Sequence, residues 1–171
     1  MVGFVSARLA TTFSTDSANA SKGVYLMSFL PQSDVDRIVT YAASQGKQSI
    51  AALLPANAYG TVVEATLQRV AANTGSRIQV VERYNLDRAS MQEKATAIAA
   101  IVKQGSVNAV FIPDGGDATP FLAQILAANG VTPGTIQYLG SGQWSDPRIR
   151  AESNLAGGWF PGPDPAKIDG F

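Results

Sequence analysis

The chain has 171 residues, 46% of them apolar, enough to bury one sizeable core and to point to one domain rather than two. Lys plus Arg number 13 and Asp plus Glu number 13, so no basic field exists to hold a phosphate backbone or an anionic membrane surface, and nucleic acid and lipid are discounted as partners. Cys and His are both absent, which removes disulfides, thiolate and imidazole metal sites, thiol nucleophiles and the Ser-His-Asp and Cys-His arrangements. No enzyme activity, cofactor or metal is expected on this basis.

Residues 1–22 are rich in Ser, Thr and Ala without a clear period and read as a linker or hinge segment. The start, MVGFVSAR, has no basic n-region and only a short apolar run, so no signal peptide is read from it. Nowhere do about 18 apolar residues run together, and no membrane insertion is expected.

From residue 23 to 160 short apolar runs alternate with helically spaced stretches closed by Gly, the pattern of one α/β domain. The run VYLMSF at 24–29 reads as a strand covered on both faces, ended by Pro31. Ser33 then caps a helix whose stripe is Val35, Ile38, Val39, Ala42 and Ala43, closed by Gly46. Residues 49–54 form the next strand. Val63, Leu67, Val70 and Ala71 stripe a helix ending at Gly75, and residues 77–84 form a third strand.

Ser90-Met91-Gln92-Glu93 reads as a capping box ahead of a helix striped by Ala95, Ile98, Ala99 and Val102 and closed by Gly105. A fourth strand at 108–112 stops at Pro113. After a Gly-rich loop, Thr119 as cap and Pro120 at the first helical position open a helix running to Gly130. Residues 135–139 give a fifth strand and 155–160 a weaker sixth, followed by a Pro/Gly-rich tail at 161–171. The expected fold is a three-layer, doubly wound parallel sheet of flavodoxin or Rossmann type.

In such a sheet, ligands bind among the loops at the carboxyl ends of the strands, here 31–33, 55–60, 113–119 and 140–146, with 85–89 as a fifth. Asn57 and Tyr59 offer an amide and a phenol just before a helix N-terminus, or else serve the turn and the packing. Asp114 and Asp117 flank Gly115 and Gly116. They either cap the helix that follows or meet a ligand ammonium or hydroxyl, and two carboxylates fall short of the six or more oxygens calcium takes. Gln143 and Trp144 follow the fifth strand, with Trp144 placed to stack on a solute or to pack against the neighbouring loop. Ser141 is no nucleophile, because the glycine spacing is wrong for a nucleophile elbow and no His is present to activate it.

The landmarks VYLMSFLP at 24–31, AYG at 58–60, ERY at 82–84, AVFIP at 109–113 with its Gly-Gly, LG at 139–140 and the Trp144–Asp146 region occur in one order. In that order the chain resembles the second lobe of type I periplasmic solute-binding proteins, the branched-chain amino acid receptor group of ABC transporters. The resemblance covers 24–160 and implies a periplasmic or extracytoplasmic receptor that binds a small polar or amino-acid-like solute without covalent chemistry and engages an ABC permease. It also implies that the first lobe is largely missing from this chain. A lone lobe is then expected to expose an apolar interlobe face and to self-associate through the loop edge or through residues 1–22.

Two positions depart from the family pattern. Asp117 stands where amino acid receptors place a Tyr after Gly-Gly, and Gly142 or Gln143 stands where they place a Glu, which argues against a standard branched-chain amino acid as ligand. The same fold occurs in activators of penicillin-binding proteins, so an interaction module for an envelope protein is the alternative reading.

Overall fold

The computed structural model describes residues 20–162 and 167–170, with side chains from residue 31 onward. The chain divides into two compact units, Met1–Ser33 and Asp34–Phe171. The first contributes only helical backbone to the described residues, and the expected hinge role of 1–22 lies largely outside them.

The elements in chain order are α1 (Ala20–Ser44), β1 (Ser49–Pro55), α2 (Ala58–Thr74), β2 (Arg77–Tyr84), α3 (Arg88–Lys103), β3 (Ala109–Phe111), α4 (Thr119–Ala128), β4 (Gln137–Leu139), α5 (Pro147–Arg150), β5 (Trp159–Pro161) and β6 (Ile168–Gly170). Two 3-10 turns, Gly142–Ser145 and Ser153–Leu155, flank α5. The sheet order is β2-β1-β3-β4-β5-β6. The first five strands pair in parallel and β6 runs antiparallel to β5. The β1–β2 register shifts between Ile50 and Ala51, a local bulge.

Two apolar layers enclose the sheet because successive strand residues point to opposite faces. Ile50, Ala52, Leu54, Ala109, Phe111 and Leu139 pack under α2 and the α1 stripe Val35, Ile38, Val39 and Ala42. Ala51, Leu53, Val110, Ile112 and Tyr138 pack under α3 and α4. The expected three-layer, doubly wound α/β architecture is thus present, with α2 on one face and α3 and α4 on the other.

Several local expectations are corrected. Residues 24–29 are helical rather than a strand, and Pro31 lies inside α1 rather than ending an element, so Ser33 caps nothing. A continuous apolar run carries no period that separates a buried strand from a buried helix. Helix α3 starts one turn before the expected capping box. Asp87 Oδ1 accepts the Ser90 N–H at 2.8 Å, while Ser90 Oγ accepts the Asn85 N–H at 2.9 Å. A charged acceptor at Asp87 takes the cap that the serine motif suggested for Ser90. Thr119 is the first residue of α4 rather than its cap, and Ala118 holds the cap position without a side-chain bond.

The tail is not structureless where it is described. Arg37 Nη2 donates to the carbonyls of Gly162 at 3.0 Å and Lys167 at 2.7 Å, and the Tyr41 ring meets Trp159 edge-on at 5.0 Å, holding β5 and β6 beside α1.

Trp144 is fully buried, with Nε1 donating to the Ile112 carbonyl at 2.8 Å. Its ring fills room left by two glycines: a Cβ on Gly140 would come within 2.1 Å of the indole, and one on Gly158 within 2.7 Å. The indole therefore belongs to the core and offers no stacking face to a solute, which corrects that expectation. Trp144→Ala should lower unfolding stability by about 3–5 kcal/mol in urea titrations. A loss below about 1 kcal/mol would contradict this core role.

Candidate functional site

Helix α2 follows β1 on one face of the sheet and α3 returns the chain across the other, so the strand order reverses between β1 and β3. At such a reversal the loops leaving the two strands diverge and open a crevice at their carboxyl ends. Here the loops entering α2 and α4 flank that point, and the loop after β4 adjoins them.

The carbonyl of Pro113, at the end of β3, gathers side chains from both neighbouring loops. Tyr59, in the first turn of α2, donates its phenol to this oxygen at 2.7 Å. Ser141 Oγ donates to it at 3.1 Å and Gln143 Nε2 at 3.2 Å, the latter also donating to Tyr59 Oη at 3.2 Å. Tyr59 is half-buried, and burial pushes its phenol above the ordinary range. The nearby Asp34 and Asp114 carboxylates add to that shift, and hydrogen bonds from Ser141 and Gln143 oppose it. The phenol therefore keeps its proton and remains a donor.

Asp114 is half-buried next to this cluster. Its Oδ2 accepts the hydroxyl of the fully buried Tyr84 and its Oδ1 accepts the Gly115 N–H at 2.8 Å. Burial, reinforced by Asp114, pushes the Tyr84 phenol strongly upward, so it too stays protonated. Asn57 caps α2, its Oδ1 accepting the Gly60 N–H at 2.9 Å, and its side chain is exposed at the rim.

Asp117 is exposed and paired with Arg148 at 2.7 Å. The same guanidinium holds Asp146 through Nε at 3.2 Å and Nη2 at 2.8 Å. Hydrogen bonds from Arg148 keep the Asp146 carboxyl below its usual range. Of the six residues singled out in the sequence, Tyr59, Asp114 and Gln143 come together at the reversal point. Asn57 lies at its edge, Asp117 is drawn outward by Arg148, and Trp144 lies beneath, in the core.

Four contributors were not singled out. Arg83 donates to the carbonyls of Pro55 at 3.1 Å and Asn57 at 3.2 Å, to Thr61 Oγ1 at 3.1 Å and to Glu64 at 2.8 Å, clamping the loop that carries Tyr59. Tyr84 orients Asp114, Arg148 holds Asp117, and Asp34 Oδ2 accepts the Gly142 N–H at 2.7 Å. Each acts across a long stretch of sequence, and the only prior signal was the presence of Arg83 and Tyr84 among the ordered landmarks.

The expected apolar interlobe face is not found among the described residues. Leu86 is their single exposed large hydrophobic, and the strand ends present polar side chains instead. No helix of the described residues is long and apolar enough to cross a membrane.

A family model described as periplasmic binding protein matches residues 3–167, nearly the whole chain. The chain belongs to the periplasmic binding protein family. That family comprises binding proteins rather than enzymes, in keeping with a rim of hydrogen-bonding groups. No curated protein matches the chain significantly.

Among solved structures, the fold is similar to an ABC-transporter solute-binding protein from Rhodopseudomonas palustris BisB5 in complex with 3,4-dihydroxybenzoic acid. The two share 17% identity and a TM-score of 0.64, over 76% of this chain and 35% of the other. An extracellular ligand-binding receptor from Rhodopseudomonas palustris HaA2 gives 19% identity and a TM-score of 0.65 over 75% and 34%. The leucine-, isoleucine-, valine-, threonine- and alanine-binding protein of Brucella ovis gives 12% and 0.60 over 76% and 33%. The chain thus spans about a third of the length of these structures.

The Asp34 contact yields a pH prediction. Burial raises its carboxyl above the ordinary value of 3.8, against the opposing Gly142 hydrogen bond and the Arg37 charge. A native carboxyl that holds its proton more tightly than the unfolded chain favours the fold most at acid pH, and the contribution declines as pH rises through the raised value. Asp34→Asn retains an acceptor for Gly142 and removes the titration. The melting temperature of the variant relative to the parent should therefore rise from acid toward neutral pH in scanning calorimetry, and a constant offset across that range would refute the assignment.

Proposed function

We propose that this chain supplies one wall of a solute site in an extracytoplasmic ABC-type uptake system, holding a small polar or amino-acid-like solute by non-covalent contacts and passing it to a permease. The wall is the carboxyl edge between β1 and β3, with Tyr59, Asp114 and Gln143 at its centre and Asn57 and Asp117 at its margin. The observation that carries this reading is the convergence of Tyr59, Ser141 and Gln143 on the Pro113 carbonyl at the strand-order reversal. Three polar loops meeting there support the reading, since open α/β sheets receive ligands at such a reversal.

The structural neighbours support the solute class only broadly. One was solved with 3,4-dihydroxybenzoic acid, another with 4-hydroxybenzoate and a third with Leu. All three are small molecules that join a carboxylate to an apolar skeleton, suited to a site whose polar contacts come from fixed loops.

The test is thermal-shift screening of the chain against free amino acids, their amides and hydroxybenzoates, since any solute that binds the native state raises the melting temperature by mass action. For a solute that does so, Tyr59→Phe and Gln143→Ala should each weaken binding by roughly three- to tenfold, the loss of one neutral hydrogen bond. Retention of full affinity in both variants would move the site elsewhere, and silence across the whole panel would overturn the reading.

A further inference from the structure

We propose that Arg148 is a positioning residue of the carboxyl edge: its guanidinium straps the Gly115–Gly116 turn to the segment after β4, and rising ionic strength loosens the strap. The strap stands on the geometry alone, and only its bearing on solute affinity rests on the proposed solute-binding role.

The segment after β4 is the anchored side. Trp144 and Ile149 are both fully buried and fix it to the core. Between them Asp146 caps α5, its Oδ1 accepting the Arg148 N–H at 2.8 Å. The same carboxylate accepts two bonds from the guanidinium, from Nε at 3.2 Å and from Nη2 at 2.8 Å. A two-pronged contact of this kind sets the plane of the guanidinium, and Nη1 is left to donate to Asp117 across the gap at 2.7 Å. The arm is therefore ordered before Asp117 is counted. Most exposed ion pairs gain little because two long side chains must be immobilised for one contact, and here Asp146 has already immobilised the longer one.

The turn is built to receive this arm. A Cβ on Gly116 would come within 2.6 Å of Asp146 Oδ2 and 2.8 Å of Arg148 Nε, and one on Gly115 within 2.8 Å of Gln143 Oε1. The room opened by the two glycines is thus taken by side chains of the segment after β4, with Gln143 over one residue and the Arg148–Asp146 pair over the next. The Gly115 carbonyl in turn accepts the N–H groups of Ala118 at 3.3 Å and Thr119 at 3.0 Å. Both residues are buried, so their amides meet solvent only when the turn opens.

The magnitude suits a strap that releases. The side chains of Arg148, Asp117 and Asp146 are 60%, 94% and 25% exposed. A pair this exposed favours the closed turn by only roughly two- to fivefold. The screening length falls from about 30 Å at 0.01 M salt to about 3 Å at 1 M, which removes most of that preference. Apolar contacts are not weakened by screening, so loosening by salt separates the strap from ordinary packing. Asp114 opens the same turn, so at the proposed wall a loosened turn has to be ordered again by whatever binds it, and affinity falls.

The experiment is amide hydrogen exchange by NMR on the ligand-free chain, between about 0.02 and about 1 M NaCl. Exchange at Ala118 and Thr119 is read relative to Gly75 and Gly105, whose amides close α2 and α3. In the parent chain, salt should speed the relative exchange roughly two- to fivefold. Arg148→Gln should exchange at low salt as the parent does at high salt, and should respond little to salt. Gly116→Ala should do the same without any change of charge, since its methyl group displaces the flexible ends of Arg148 and Asp146. Asp117→Asn, at an exposed side chain, should match both variants and decides the matter if either of them misfolds.

Salt-independent exchange in the parent would overturn the proposal. So would variants that keep the parent's exchange and its salt response. Neither result touches the solute-binding reading, whose own test is the thermal-shift panel.

Discussion

A single backbone oxygen organises this molecule's carboxyl edge. The Pro113 carbonyl stands where β3 ends, beyond the reach of the sheet ladder, and a buried carbonyl without a partner costs about 1–3 kcal/mol. The chain satisfies it with Tyr59 from α2 and with Ser141 and Gln143 from the loop after β4. Those three bonds fix the distance between two loops that leave different strands. Next to them, Gln143 lies across Gly115, and Asp114 is held by Tyr84 and the Gly115 N–H.

Beneath this layer a second set of contacts does similar work with larger groups. The indole of Trp144 takes the space that Gly140 and Gly158 leave open and bonds the Ile112 carbonyl one residue before Pro113. Two consecutive strand-end carbonyls are therefore satisfied from the same 3-10 turn, one in the core and one at the surface. This explains why so short a strand as β3, three residues long, can anchor the centre of the site.

Much of the fold was legible in the sequence. The stripes Val35-Ile38-Val39-Ala42 and Val63-Leu67-Val70 are buried as their spacing implies, and β1 to β5 fall close to the expected runs, because periodic burial is a local property. The residues at 24–29 lacked any period that could decide between helix and strand. Strand β6 lies in a Pro- and Gly-rich segment whose pairing depends on β5 and on Arg37, 125 positions from Gly162. At the site, the loops at 55–60, 113–119 and 140–146 follow from the parallel topology, whereas the expected loop at 31–33 is part of α1 and the partners within the site are not local. Tyr59 finds Pro113 across 54 positions, and Tyr84 finds Asp114 across 30. The sequence leaves Trp144 open between stacking on a solute and packing, because the glycines that admit it to the core lie at the ends of separate strands.

The Arg83 clamp has a consequence for how quickly and selectively such a rim can respond. One guanidinium fastens two carbonyls, a hydroxyl and a carboxylate around the turn between β1 and α2, so the conformational entropy of that turn is lost when the chain folds. An incoming molecule encounters a preorganised surface, and little free energy is diverted into ordering it. Encounter rates should then differ little among related molecules, leaving residence time as the quantity that separates a good fit from a poor one.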